Sequence, residues 1–170
     1  MAEDLSTEEI VKKLQLAAEL ATALDGLWFL AAEKAMDFGK ALDMDVDVWA
    51  KYASVSVRRM RKYFNLSENG LEAVKEVIEY DPICWGPMDF EFGGDPPQQM
   101  VFQVNRCRIL EGQERMGRKI FTCVPVVTAY FSKLAETLDP KIRFKPLKLP
   151  PRQSPDEICC SWLFSLEDSA

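Results

Sequence analysis

The stretch that decides the fold is MDFEFGGDPPQQMVFQVN, which runs from Met88 to Asn105. Its first part alternates apolar and acidic residues from Met88 to Phe92, and a second apolar alternation begins at Met100 and continues to Val104. Such alternation places every second side chain on one face of a β-strand. The glycines and prolines at 93–97 are typical of a turn. The stretch therefore predicts a β-hairpin with one buried face.

The residues before this hairpin have a helical period. After a capping signal at Ser6, small and large apolar residues recur alternately four and three positions apart from Ile10 to Ala35, and further helical patterns cover about 46–64 and 70–80. Asp81-Pro82 ends the last pattern, because proline disfavours the helical conformation in the residue before it. The first 82 residues are therefore predicted to be helical.

The residues after the hairpin indicate one more helix and two more strands. Pro125 suits the first turn of a helix that Asp139-Pro140 ends, and alternating patterns follow at 141–145 and 158–166. We predict an α+β fold in which the helical half, residues 1–82, packs on a small, mainly antiparallel sheet of about four strands. Residues 83–170 form the α+β half. A chain of 170 residues, 48% of them hydrophobic, favours one compact domain.

Charge and composition limit the classes of partner that the protein can bind. The net charge of −6 argues against nucleic acid, and the helix after the basic segment 58–62 carries three glutamates that would repel phosphate. The longest apolar run, Leu27 to Ala32, falls short of the roughly 20 residues that span a bilayer. We therefore expect no nucleic-acid or membrane partner. The apolar stripe of the first helix can be buried either in the protein's own core or in a homodimer.

The chain has five cysteines and no histidine. Without imidazole, Ser-His and Cys-His catalytic pairs are excluded, so polar chemistry falls to thiols, carboxylates and other side chains. An odd number of cysteines without a secretory context predicts reduced thiols and a cytoplasmic location. No cofactor is expected, since no phosphate-binding or zinc motif is present.

Three of the cysteines lie at structural junctions. Cys123 falls near the start of the Pro125 helix, where the helix dipole favours thiolate, so it is the predicted reactive thiol. Cys160 lies on the apolar face of the last strand and is expected to stay neutral, with Cys159 turned toward solvent. Alternatively, Cys107, Cys123 and Cys160 form a metal site, although their spacing matches no close-paired zinc motif. A further alternative is that they are simply buried as small apolar residues.

Two carboxylates form a second candidate site on the first helix. Asp25, Phe29 and Glu33 are spaced i, i+4 and i+8, so they share one stripe beside Trp28. The two carboxylates lie about 12 Å apart by helical rise, which is too far to share a proton but allows them to line one pocket. The alternative is a solvated acidic stripe.

Several of these segments resemble a family of small bacterial and archaeal cytosolic proteins. That family is distantly similar to L-2-amino-thiazoline-4-carboxylate hydrolase-like proteins and, more remotely, to the small-molecule-binding domains named after vinyl reductases. The segments that resemble it are Asp25 to Glu33, Asp47-Val48-Trp49, Arg58-Arg59, Cys107, Cys123 and Cys160-Ser161-Trp162.

The resemblance implies a compact α+β domain with a pocket between the helices and the sheet. We expect it to bind a small organic molecule, anionic or sulfur-containing, and the candidate aromatic walls are Trp28, Phe29, Trp49, Tyr52 and Trp162. The alternative from the resemblance is a hydrolase that opens a thiazoline-like ring. In that reading Asp25 or Glu33 is the base, Arg58 or Arg59 holds a substrate carboxylate, and Cys123 is an alternative nucleophile.

Overall fold

The computed structural model describes residues 5–94 and 97–167. The first half of the chain is helical and the second half contains the sheet, so the predicted α+β class with a helical N-terminal half is confirmed. The described helices are α1 Thr7–Ala35, α2 Phe38–Tyr63, α3 Gly70–Tyr80, α4 Pro82–Trp85, α5 Arg108–Arg115 and α6 Cys123–Leu138.

Four strands form one antiparallel sheet in the order β1-β2-β4-β3. The predicted hairpin is β1 and β2, with Phe92 opposite Phe102. Two residues of its expected turn, 95 and 96, lie outside the described residues. The strands are β1 Met88–Gly93, β2 Gln99–Cys107, β3 Ile142–Lys148 and β4 Cys160–Leu166.

An aromatic cluster joins α6 to the sheet. The ring of Phe131 lies 6.1 Å from Phe102, 5.3 Å from Trp162 and 4.9 Å from Phe164, in edge-to-face arrangements. This geometry is favourable because the positive edge of one ring meets the negative face of the next. Because these residues come from α6, β2 and β4, the cluster fixes α6 across the middle of the sheet.

The buried carboxylate of Asp81 joins three helices. Tyr52 of α2 donates a hydrogen bond to Oδ1 at 2.8 Å, and Tyr130 of α6 donates one to Oδ2 at 3.2 Å. Asp81 also caps α4, since the backbone N–H of Ile83 donates to Oδ1 at 3.1 Å. A fully buried carboxylate is tolerated only with such partners. Burial raises the pKa of Asp81, and the three hydrogen bonds oppose that rise.

Helix α1 contacts the rest of the protein through few residues. Ala18, its one buried residue, packs against Gly86, where any added β-carbon would lie 2.5 Å from the alanine side chain. Glu19 accepts a hydrogen bond from Arg108. Near the other end, Arg118 donates to both carboxylate oxygens of Glu33, at 3.1 and 2.6 Å. Phe29 also packs edge-on against Phe38 of α2, so α1 contacts the domain through a few apolar residues and two ion pairs.

The structure differs from the sequence prediction at three helices. Helix α4 was not predicted, because four residues are too few to show a helical period. Helix α2 begins at Phe38 rather than near 46, because Asp37 caps it by accepting a hydrogen bond from the Lys40 N–H at 2.9 Å. Helix α5 was not predicted, because its eight residues, RILEGQER, are too short and too charged to show a helical period.

The Asp81 junction can be tested by removing one hydroxyl at a time. We expect Tyr130→Phe to lower the free energy of unfolding by about 1.5–3 kcal/mol, the usual range for a hydrogen bond to a charged group. Tyr52→Phe should have a similar effect. Urea unfolding followed by circular dichroism measures both. Tyr63→Phe is the matched control, because Tyr63 lies on the same helix as Tyr52 but is exposed. Equal stability of all three variants would contradict the role assigned to Asp81.

Candidate functional site

A partly open cavity of about 140 Å³ lies between the helices and the sheet. Its walls are mostly apolar and come from all six described helices, from β1, β2 and β4, and from the segments beside them. All five cysteines line it. Among the other residues that line it are Trp49, Met88, Phe102, Ile109, Val126, Val127, Tyr130, Phe131 and Trp162.

The indole of Trp162 has a poorly satisfied hydrogen-bond donor in the wall of this cavity. The side chain is 2% exposed, and its Nε1 makes no hydrogen bond of normal geometry among the described residues. Its interaction partner is the thiol of Cys160, a weak acceptor, and this interaction partly opposes the rise that burial causes in the pKa of that thiol. Nearly all buried donors in folded proteins are paired, so a poorly satisfied one needs an explanation. A bound molecule with a stronger acceptor atom would supply a better partner.

The prediction that Cys123 is an activated thiolate is wrong. Cys123 does begin α6, and backbone N–H groups at that end lower its pKa as expected. Burial outweighs them, and together with the neighbouring thiols of Cys107 and Cys160 it raises the pKa of Cys123 to about 12. The helix end faces the apolar cavity rather than solvent, which sequence spacing does not reveal. At neutral pH Cys123 is a neutral thiol.

The other cysteines lie in similar surroundings. Burial raises the pKa of Cys107 to about 11 and that of Cys160 to about 12, and it raises the pKa of Cys84 and Cys159 as well. Cys159 is 1% exposed, so the expectation that it faces solvent is wrong. It immediately precedes β4, and its Sγ contacts the carbonyl oxygen of Asn105 at 3.6 Å.

Cys107, Cys123 and Cys160 lie on one cavity wall, but a metal site is not formed. In the part of the chain that the structure describes, no group of three cysteine, aspartate or glutamate side chains is arranged to hold a metal ion. The three thiols contribute polarisable, weakly polar surface to the cavity.

Two carboxylates from neighbouring helices form a pair at the edge of the cavity. Burial, followed by the negative charge of Asp25, raises the pKa of Asp45 to about 6. Burial also raises the pKa of Asp25. Hydrogen bonding from Trp49 partly offsets both shifts. Like charges in one site make full ionisation of both groups unfavourable, so the pair holds a proton more readily than an exposed aspartate does.

The pair lies where the inner cavity meets two surface clefts. Asp25 and Asp45 line the inner cavity, and they also line two larger clefts on either side of α1. One cleft, of about 540 Å³, lies between α1 and α5 and is lined by Arg108 and Arg118. The other, of about 450 Å³, is a groove between α1 and α2 with Trp28 at its edge. The two carboxylates therefore stand at the entrance to the cavity.

Some predicted site residues lie away from this cavity. Glu33 does not line the cavity, and its pairing with Arg118 lowers the pKa of the glutamate and so weakens it as a base. Arg58 and Arg59 are exposed near the end of α2 and do not line the cavity, so they cannot hold a ligand there. Their positions on α2 point them outward.

The predicted aromatic residues are divided between the inner cavity and the α1–α2 groove. Trp49 and Trp162 line the inner cavity, while Trp28, Phe29 and Tyr52 line the α1–α2 groove.

Sequence reasoning missed Asp45, although a signal for it existed. Asp45 and Trp49 are four residues apart on α2, the same spacing as Asp25 and Phe29 on α1.

Comparison with known proteins identifies the family of the chain. A model described as a family of unknown function, DUF6125, matches residues 3–166. The chain belongs to this family. No curated protein and no solved structure matches it. The assignment covers both the helical half and the sheet, so the cavity between them lies within the matched region.

The thiols should be protected in the folded protein. Because thiolate is the reactive form, the raised pKa values predict slow alkylation at neutral pH and a rate that still rises between pH 9 and about pH 11. Iodoacetamide labelling followed by mass spectrometry measures the rate at each cysteine, and urea-unfolded protein is the control. A plateau for Cys123 near pH 8 would contradict the burial described for it.

The carboxylate pair should make stability depend on pH. The pKa of Asp45 is raised from 3.8 to about 6, so the folded protein holds this proton more tightly than the unfolded chain does. The resulting stabilisation is complete below pH about 3.8 and is lost as the pH rises through about 6. Asp45→Asn should therefore be more stable than the wild type at pH 7.5, by urea unfolding, with a smaller difference at pH 4.5.

The matched control is Asp43→Asn, at an exposed carboxylate two residues earlier on the same helix. It should not change the pH profile. If Asp45→Asn and Asp43→Asn behave alike at both pH values, the pair does not share a buried environment.

Proposed function

We propose that this protein binds a small, largely apolar organic molecule in the cavity between its helices and its sheet. The main support is the Nε1–H of Trp162, whose interaction partner is the weakly accepting thiol of Cys160. A buried donor with no partner at all costs about 1–3 kcal/mol, and a ligand nitrogen or oxygen within reach removes the part of that cost that the thiol leaves. The ligand class is therefore a molecule with an apolar body and at least one acceptor.

The volume limits the size of the ligand. The cavity measures about 140 Å³. An apolar cavity of about 150 Å³ accommodates benzene, so a single five- or six-membered ring fits here. Larger molecules would extend past Asp25 and Asp45 into one of the clefts.

The charges around the cavity limit the charge of the ligand. Asp25 and Asp45 are the charged residues that line it, and no lysine or arginine does among the described residues. An anionic group would be repelled by them, so the anionic ligand expected from the sequence is disfavoured. A neutral or cationic ligand is favoured, and a sulfur-containing ring remains suitable because five thiols provide polarisable contacts.

Hydrolysis of the bound molecule is a second candidate function, and the carboxylate pair favours it. With a pKa of about 6, Asp45 can hold a proton near neutral pH while Asp25 accepts one, which suits one group to act as acid and the other as base. In that case Asp45→Asn would abolish turnover of a thiazoline probe without preventing its binding.

We also propose a cytosolic location. The five cysteines are free, and a reducing compartment keeps thiols in that state.

Binding can be tested with two rings that differ in one atom. Thiazole and thiophene are similar in shape, but the thiazole nitrogen is a good acceptor. In ¹H–¹⁵N spectra, thiazole should shift the indole signal of Trp162 downfield and bind at least about fivefold more tightly than thiophene, as the loss of one hydrogen bond implies. The indole signal of Trp28, which is 71% exposed, is the internal control.

The Trp162→Phe variant removes the donor and keeps an aromatic ring. It should bind both probes with equal affinity. If this variant does not fold, the shifts in the wild-type spectra alone decide the test. The proposal fails if neither probe moves the Trp162 signal, or if both rings shift the Trp28 signal more.

A further inference from the structure

Helix α1 turns its apolar side away from the protein. Between residues 14 and 32 its only charged residues are Glu19 and Asp25, and both face the domain. The outward side is made of leucine, alanine and tryptophan. Its large apolar side chains that are 44–71% exposed include Ile10, Val11, Leu14, Leu16, Leu20, Leu24, Leu27 and Trp28.

The spacing on this side is that of a helix that packs against another helix along its whole length. The exposed residues that recur alternately four and three positions apart are Ile10, Leu14, Ala17, Ala21, Leu24, Trp28, Ala31 and Ala35. A repeat averaging 3.5 residues keeps one seam facing a partner helix. We call this set the α1 seam.

We propose that the α1 seam is the interface of a homodimer, in which two copies of α1 pack antiparallel about a twofold axis between residues 22 and 23. In this register every large side chain of the seam faces a small one. Ile10 lies opposite Ala35, Leu14 opposite Ala31, Trp28 opposite Ala17, and Leu24 opposite Ala21.

The pairing of sizes favours this arrangement over a parallel one. Interfaces are packed as closely as protein interiors, so a large side chain needs a small one opposite it. In a parallel dimer Trp28 would face Trp28 of the partner subunit, and Ala17 would face another alanine. The first contact would be overfilled and the second would leave a gap. In the antiparallel dimer Leu20 and Leu27, which flank the seam on one side, come near each other with an offset of two residues, about 3 Å.

The available area suits a stable dimer. The α1 seam spans 26 residues, about 38 Å. Half of the lateral surface of a helix of that length is roughly 650 Å². Met44 and Val48 of α2 lie beside the groove between α1 and α2, and both are more than half exposed. With them each copy offers about the 800 Å² per partner that specific interfaces typically bury. The dimer core would be a bundle of two α1 and two α2 helices.

A lipid bilayer is the competing partner for the same surface. An 18-residue window of α1 has a mean hydropathy of 1.2, so by length and composition the helix could cross a membrane, contrary to the expectation from its longest apolar run. To do so it would have to break the ion pairs of Glu19 with Arg108 and of Glu33 with Arg118. A helix lying on a membrane usually has lysine and arginine along its polar face. In α1 the lysines lie only near the two ends, at Lys12, Lys13 and Lys34, and the charged residues between 14 and 32 are the acidic Glu19 and Asp25, which face the domain.

The oligomeric state of the full chain tests the proposal. Sedimentation velocity should find a dimer at micromolar concentration. Leu24→Glu should weaken dimerisation at least tenfold, as truncation of a central contact does, while circular dichroism stays unchanged because Leu24 is exposed in the monomer. Leu147→Glu is the matched control, since Leu147 is equally exposed on β3. A wild-type monomer at all concentrations would overturn the proposal.

Oxidative crosslinking of mixed variants tests the register. Leu14→Cys and Ala31→Cys proteins should each stay uncrosslinked alone, because the two copies of either position lie roughly 25 Å apart along the antiparallel helices. A mixture of the two should form an interchain disulfide. Wild-type protein controls for the native thiols, which are largely buried. Crosslinking of either variant alone would indicate a parallel dimer and overturn the register.

Flotation with vesicles separates the two partners of α1. Wild-type protein should remain in solution with vesicles of phosphatidylcholine, with or without phosphatidylserine. If the wild-type protein is a monomer that floats with the vesicles, and Leu24→Glu abolishes flotation, the α1 seam binds a lipid surface and not a second copy of the chain.

Discussion

The buried carboxylate of Asp81 is the constraint on which the rest of the domain depends. It lies between α3 and α4 and receives hydroxyl groups from α2 and α6, so it sets the distances among these helices. A charge of this kind cannot be left without donors in an apolar interior. The helices are therefore held where Tyr52 and Tyr130 can reach it, rather than where apolar contacts alone would be greatest.

The same constraint leaves room for the cavity. Tyr130 directs its hydroxyl to Asp81, while the next residue, Phe131, packs on the sheet. Helix α6 is thereby held against both the helices and the sheet, and thiols, aromatic rings and aliphatic side chains line the space between them. The result is a mostly apolar cavity with one poorly satisfied indole donor.

Much of the fold follows from periodicity, but little of the site does. The alternation in 88–105 and the helical period before residue 82 are local signals, and both correspond to real elements. The surroundings of Cys123 depend on β4 and β2, which are distant in sequence, so its burial reversed the expected direction of its pKa shift. Asp45 was missed because its importance arises from Asp25 on another helix. Arg58 and Arg59 were assigned from resemblance, without information on which way they point.

Between residues 14 and 32, helix α1 reverses the usual arrangement of an amphipathic surface helix, because its two charged residues face inward and most of its large apolar residues are exposed. A lone copy of the chain gains little hydrophobic free energy from docking α1, whose one buried residue is Ala18. Opening of α1 is then a local event, cheaper than unfolding of the aromatic core. The amide hydrogens of α1 would exchange with solvent before those of α6. In the proposed homodimer, the exchange rate of α1 alone would fall as the protein concentration rises.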